Sequence, residues 1–119
     1  MASIKESIDQ LLAMDGAMCV AVVDANSGMV LGTGGSGLDL EVAAAGNTEV
    51  VRSKQKTMRA LGLKDVIEDI LITLGTQYHI IRPSVRHEGL FVYFVLDKQR
   101  GNLALARRKV QDVEKDLKV

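Results

Sequence analysis

The sequence predicts an α+β domain built on an antiparallel sheet, and two features of its apolar pattern lead to this prediction. Segments of strand length are joined by short turns such as ANSG and GT, which favours hairpins over alternating βαβ units. Three other segments carry apolar residues at helical spacing, before, between and after the strands. The predicted order is α-β-β-α-β-β-β-α, and 119 residues suit a single domain over residues 1–119.

The first half is expected to contain a short helix and a hairpin. Ser3 and Glu6 have the spacing of a capping box, and the amphipathic helix that they begin should end near Met14. Residues 17–24 are apolar on both faces, which is typical of a central strand. A turn leads to a second strand over residues 29–34, so that the two strands form a hairpin.

The second half is expected to begin with a long helix, from about Asp39 to Leu61, which Gly62 closes. Strands are predicted over residues 67–75, 77–83 and 90–97, and the last of them is apolar enough to be central. A C-terminal helix follows, because apolar residues recur on one helical face. They are Leu103, Ala106, Val110, Val113 and Leu117.

Composition excludes several classes of function. The chain has 15 Lys and Arg and 15 Asp and Glu, and a net charge of zero argues against nucleic-acid binding. Two Tyr, two Phe and no Trp give no base-stacking platform, and the core is expected to be aliphatic. A single cysteine, a charged N-terminus and no long apolar run predict a cytoplasmic protein without membrane insertion.

Three glycines, Gly32, Gly34 and Gly37, have the spacing of a dinucleotide-binding loop. That loop works inside a βαβ unit, whereas here it follows the second arm of a hairpin. Asp39 and Glu41 would also stand at the helix N-terminus, where they would repel a phosphate. The glycines are therefore interpreted as a flexible strand-to-helix connection, and no cofactor is expected.

No catalytic or metal-binding set is predicted. His79 and His87 are the only histidines, and their spacing matches no compact metal motif. Cys19 lies among apolar residues, where a thiol is usually inert. A Cys19–His79 nucleophilic pair is the enzymatic alternative, but the chain is expected to be no enzyme.

The long helix carries three stripes at helical spacing, and the second indicates a dimer. The first is mostly bulky and suits the sheet: Leu40, Ala44, Asn47, Val51, Lys54, Met58 and Leu61. The second consists of small residues, which allow another backbone to approach closely: Ala43, Gly46, Val50, Ser53, Thr57 and Ala60. The strand after this helix would have an unguarded edge suited to a second copy, at Ile70, Ile72 and Leu74. The alternative is that the small residues fit their own sheet tightly.

The third stripe of the long helix would face solvent or a partner protein. Its partner-binding candidates are Thr48, Arg52, Gln55 and Arg59. An arginine can bind a carboxylate with two hydrogen bonds, which suits protein recognition. The alternative interpretation is an ordinary solvated surface.

The chain resembles the roadblock (dynein light-chain type) family, and its bacterial members in particular, over nearly its whole length. The resemblance lies in an ordered set of segments. They are the hairpin AVVDANSGMVLGTGGSG, the long helix after it, the strand pair IEDILITLGTQYHIIRP and the final GLFVYFVLDKQRGNLALAR. It implies a roadblock/profilin-like sheet of five antiparallel strands in the order 2-1-5-4-3. One long helix would cover one face of that sheet, and two terminal helices the other.

The same resemblance implies a function. Roadblock-like proteins are non-enzymatic homodimers, and they regulate or scaffold small Ras-like GTPases or signalling complexes. In such a dimer the third strands pair and the long helices lie side by side, as the stripes also indicate. A small-molecule-sensing or adaptor domain without a GTPase partner is the alternative function.

Overall fold

The computed structural model describes residues 2–119, and within them it confirms the predicted α+β architecture. One antiparallel sheet has the strand order β2-β1-β5-β4-β3. The elements are α1 (Ile4–Leu12), β1 (Ala17–Asp24), β2 (Met29–Gly35), α2 (Leu40–Ala60), β3 (Ile70–Thr73), β4 (Gln77–Pro83), β5 (Leu90–Asp97) and α3 (Leu103–Asp116).

Each helix begins at a side chain that accepts hydrogen bonds from the free amides of the first turn. The predicted capping box is present, since the Ser3 hydroxyl accepts from the Glu6 amide and the Glu6 carboxylate accepts from the Ser3 amide. Asp39 caps α2, and Asn102 caps α3. These caps fix the chain positions at which the helices turn onto the sheet.

One face of the sheet, here called the closed face, is covered by α1 and α3. Val20, Phe94 and Leu96 of the sheet are fully buried there, against Leu11 of α1 and Val110 of α3. Because both helices pack on this face, its aliphatic and aromatic side chains form one continuous core.

The glycines of β2 explain how α1 reaches the closed face. Gly32 and Gly34 lie within β2, which agrees with the predicted strand over residues 29–34, so the interpretation of the glycines as a strand-to-helix connection is wrong for these two positions. A Cβ at Gly32 would lie 2.6 Å from Ile4 Cγ2, and one at Gly34 would lie 2.5 Å from Ile8 Cγ2. Their missing side chains therefore admit α1. The chain turns only afterwards, at Gly35 and Gly37, where φ is +84° and +108°.

Within residues 2–119, the opposite face, here called the open face, is covered by α2 alone. This helix packs against β1 and β2 through Ala44 and Val51, both buried. On the side of β3 and β4, the side chains of Ile70, Ile72 and His79 remain only half-buried. The open face is therefore covered by a helix over β1 and β2. Over β3 and β4 it is left uncovered, and this part is here called its unfinished half.

The core is not purely aliphatic, so that expectation is wrong. Phe91, Tyr93 and Phe94 of β5 are the three largest fully buried side chains. They are buried because β5 is the central strand of the sheet, with a neighbouring strand on each edge and a helix layer over each face.

Strand β3 is shorter than predicted, because the residues before it are held by α3 and β4. Arg107 of α3 donates to both carboxylate oxygens of Asp69, at 2.8 and 3.0 Å. Arg82 of β4 donates to the carbonyl of Glu68 at 2.7 Å. These contacts hold Glu68 and Asp69 outside the ladder, and the strand begins at Ile70.

A buried ion pair links β4 to α3 on the closed face. Arg82 Nε lies 3.0 Å from Glu114 Oε1, and Ser84 Oγ donates to the other carboxylate oxygen at 3.4 Å. The two charged side chains are 9% and 1% exposed. Each therefore neutralises a charge that would be costly to bury alone.

Candidate interaction surfaces

The small-residue stripe of α2 lies along the side of the helix that faces the unfinished half of the sheet. Its members are exposed except Ala43, which is half-buried against the core. Val50 of this stripe, together with Lys54 and Met58, forms one wall of a groove of about 500 Å³. Ile67 and Ile70 lie on the opposite wall. The structure thus brings one member of the small stripe, Val50, to a common groove with the start of β3, while Lys54 and Met58 come from the first, bulky stripe.

Gly46 lies at an open position on this stripe. A Cβ built on Gly46 would meet no other heavy atom within 4 Å among residues 2–119, apart from its immediate chain surroundings. Glycine costs helix stability relative to alanine. Within a single chain, packing does not require a glycine here.

Strand β3 has one edge free of strand partners within the described chain. It pairs only with β4, from Ile70 opposite Ile81 to Thr73 opposite Tyr78. Ile70 and Ile72 point to the open face, as their register with Ile81 and His79 shows. Leu74 lies just beyond the strand and is 43% exposed, and its amide donates to the carbonyl of Gln77 at 2.9 Å, which closes the turn between β3 and β4.

The predicted solvent stripe of α2 is only partly exposed in the structure. Thr48 is 2% exposed and donates its hydroxyl to the carbonyl of Ala44 at 2.7 Å, so its assignment to the exposed stripe is wrong. A small side chain one turn after Ala44 fits against the sheet as well as an apolar one does. Arg52, Gln55 and Arg59 are exposed as expected.

These three exposed residues line two further grooves, which lie between α2 and the connection from β4 to β5. Gln55 and Arg59 lie in a groove of about 440 Å³, with Asp65 and Glu88 as acidic neighbours. Arg52 lines the adjoining groove and donates to the carbonyl of Asn26 at 2.7 Å. Sequence reasoning missed Asp65 and Glu88 here, because both lie in connecting segments, whose path across the surface helical spacing does not predict.

His79 takes part in a hydrogen-bond chain rather than in a nucleophilic pair. Its Nδ1 lies 2.8 Å from the Tyr93 hydroxyl, and its Nε2 lies 2.9 Å from Gln77 Oε1. Cys19 is fully buried, and burial raises the pKa of its thiol. Both nitrogens of His79 are thus engaged by other groups, and the thiol is held in its unreactive form. The Cys19–His79 alternative is therefore wrong.

The remaining candidate chemistry is also accounted for. His87 Nε2 lies 2.9 Å from the carbonyl of Leu117, far from His79 in the fold. Among residues 2–119, no three or more His, Cys, Asp or Glu side chains are grouped so that they could hold a metal ion. The helices of the described chain include none long and apolar enough to cross a membrane.

Comparisons with protein-family models and with curated proteins gave no match. Solved structures do match. The Roadblock/LC7 domain from Streptomyces avermitilis superposes with a TM-score of 0.81 at 10% identity, over 96% of this chain and 93% of that one. MglB from Myxococcus xanthus gives 0.79 at 15% identity, over 92% and 86%. A structure described as MglB with tetrameric arrangement gives 0.70 at 14% identity, over 94% and 88%.

These similarities extend over nearly the full length of each chain, so the chain has the roadblock fold. The fold that the sequence resemblance implied is confirmed, including the strand order and the placement of the helices. At such low identity the comparisons bear on the fold alone.

Proposed function

We propose that this protein is a non-enzymatic homodimeric module, which regulates or scaffolds a small Ras-like GTPase or a signalling complex in the cytoplasm. The observation that carries the proposal is the unfinished half of the open face. An exposed stripe of small residues on α2 reaches a groove there through Val50, and the start of β3, whose outer edge is unpaired, lines the same groove.

A second copy would complete both features at once. Antiparallel pairing of two β3 edges would satisfy their free backbone groups and join two sheets into one. The same two-fold axis would bring the second α2 alongside the first, over Val50 and Ile70. The small side chains at Gly46 and Ser53 would allow the two helices to approach closely. The MglB structure with a tetrameric arrangement shows that a chain of this fold can assemble.

The partner surface in this proposal is the groove beside Gln55 and Arg59. In a dimer it would occur twice on one broad surface, at equal distances from the axis. Arg59 provides a cation and Glu88 a carboxylate within the same groove, so a partner of mixed charge is favoured over a uniformly acidic one. Regulation of a Ras-like GTPase is what the roadblock resemblance implies for such a surface.

The test is direct binding of the dimer to Ras-like GTPases of the source organism, each loaded with GDP or with a non-hydrolysable GTP analogue. We expect micromolar or tighter binding to one of them, and at least about tenfold weaker binding by the Arg52→Glu, Arg59→Glu double variant. Circular dichroism and sedimentation must first show that this variant is folded and dimeric, because Arg52 also holds the carbonyl of Asn26.

The control reverses the same number of charges on another part of the protein, with Arg100→Glu and Arg108→Glu. These residues are exposed and lie before and within α3, away from the groove. Full binding by the α2 variant, or equal loss in both variants, would contradict the proposed surface. Binding by no GTPase in either nucleotide state would contradict the proposed partner.

A further inference from the structure

A hydrogen-bond chain on the open face connects three elements beneath the proposed dimer interface. Asn47 of α2 and His79 of β4 both hydrogen-bond the hydroxyl of Tyr93 on β5. The other ring nitrogen of His79 contacts Gln77 Oε1. Tyr93 is 1% exposed, so its hydroxyl depends on these neighbours for its hydrogen bonds.

The partners of His79 determine where its proton lies. An amide oxygen can only accept, so Nε2 carries the hydrogen and donates to Gln77. Nδ1 is then unprotonated and accepts from the Tyr93 hydroxyl. The hydrogen bond from Asn47 lowers the pKa of Tyr93, as donation to the phenol oxygen does, although burial outweighs it and raises that pKa to about 12. The chain therefore runs from Asn47 through Tyr93 and a neutral His79 to Gln77.

A second proton on His79 conflicts with this arrangement. It would occupy Nδ1, and the Tyr93 hydroxyl would lose its acceptor in a buried position. The alternative is that the Asn47 amide turns over to present its oxygen, which reverses the direction of the chain. Either change disturbs the contact between α2 and the sheet.

Among residues 2–119, no carboxylate forms an ion pair with His79 that could stabilise an imidazolium. Ile72 of β3 is opposite it in register, and β5 presents Val95 and Tyr93. Cys19 lies next to Tyr93, and Lys54 lines the groove on α2. Asp97 is opposite Gln77 in register and accepts from the Gln99 amide, Asp69 pairs with Arg107, and Glu68 precedes β3. Burial accordingly lowers the pKa of His79 already in the single chain.

We infer that a second proton on His79 opposes closure of the dimer, so that the association of two chains releases protons from this pair of histidines. The inference rests on the proposed dimer. Its basis is position: His79 is half-buried, one strand in from the free β3 edge, on the face that a second α2 would cover. Covering it removes the remaining solvent that could stabilise the charged ring.

The sign of the pH dependence follows. The separate chains, in which the pKa of His79 is higher than in the dimer, bind protons as the pH falls below the ordinary histidine range, whereas the dimer does not. Acid therefore favours separate chains. Sedimentation velocity at constant ionic strength should show the dimer dissociation constant rising at least about tenfold between about pH 7.5 and about pH 5.5.

The two histidines provide a matched pair of variants. His79→Gln keeps a polar side chain that cannot be protonated, and it should form a dimer whose dissociation constant is nearly independent of pH over this range. His87→Gln removes a histidine that contacts the carbonyl of Leu117, on the closed-face side, and should keep the wild-type slope. Tyr93→Phe removes the hydroxyl that occupies Nδ1, and should move the midpoint of the transition to higher pH.

Each outcome is informative. A dimer whose dissociation constant does not change with pH would overturn this inference alone, and so would a His79→Gln variant that keeps the wild-type slope. A wild-type chain that is monomeric at every pH would overturn the proposed dimer and this inference together. If His79→Gln does not fold, the shift expected for Tyr93→Phe decides the matter, and an unshifted midpoint overturns the inference.

Discussion

The two faces of the sheet are built from alternate residues of the same strands, yet they are finished to different degrees. The closed face has two helices over it, and its strand side chains, such as Val20, Ile80 and Phe94, are fully buried. The open face has one helix, which covers β1 and β2 and leaves Ile70 and Ile72 half-buried beside it. The closed face is therefore fully covered within the single chain. The open face keeps half-buried apolar side chains at β3, which a second protein surface could cover.

The glycines of the molecule illustrate the same contrast. On the closed face, Gly32 and Gly34 have no room for a Cβ, because side chains of α1 fill the space. On the open face, the space around Gly46 is empty within the described chain. Glycine is thus required by packing within the chain in the first case. In the second case, only a neighbour outside the single chain could require it.

The largest expected effect is on the closed face, at the buried ion pair. Glu114→Ala leaves the Arg82 guanidinium buried without its carboxylate, and we expect a loss of about 3–5 kcal/mol in the free energy of unfolding. Urea denaturation measures it. Asp112→Ala, which breaks an exposed pair with Arg108 on the same helix, is the control and should unfold as the wild type does. Equal stability of the two variants would mean that the Arg82 pair is not a structural link.

A smaller loss is expected from Gly34→Val, also on the closed face. The added side chain would overlap Ile8 and Leu12, and overpacking of this kind costs about 1–3 kcal/mol. The same denaturation experiment tests it, with Gly34→Ala expected to lie between this variant and the wild type. Unchanged stability in Gly34→Val would show that α1 is free to move away from β2.

The smallest effect on the fold, and the most specific on assembly, is expected from Gly46→Leu. The side chain fits the empty space of a single chain, so the unfolding of the monomer should change little. In the proposed dimer it would occupy the space of the second α2, and overpacking by about 1–3 kcal/mol would weaken association roughly five- to 150-fold. The dissociation constant is measured by sedimentation, with Gly46→Ala as a control that should still dimerise. Dimers of wild-type affinity in Gly46→Leu would remove the small stripe from the interface.

Local sequence rules predicted the helices and strands well, because most of them are determined by short-range patterns, whereas the strand order was implied by the family resemblance. The capping box at Ser3, the apolar run of β5 and the spacing on α3 each act within a few residues. The errors arose where a residue's environment depends on distant segments. Gly34 depends on α1, the start of β3 depends on Arg107, and Thr48 depends on how deeply α2 lies on the sheet.

The candidate site was predicted only in part, for the same reason. Arg52, Gln55 and Arg59 share an exposed side of one helix, which helical spacing alone reveals. The pairing of Arg82 with Glu114 joins residues that are 32 positions apart, each of which looks like a surface charge in the sequence. Likewise, the chain from Asn47 to His79 exists only because α2, β5 and β4 meet on one face.

The central claim is that the open face is completed by a second copy of the chain, and the mass of the wild-type protein in solution tests it most directly. Sedimentation equilibrium at micromolar concentration and about pH 7.5 should give twice the mass of one chain. Dilution should shift the equilibrium toward single chains. A protein that sediments as a single chain throughout this concentration range would contradict the account.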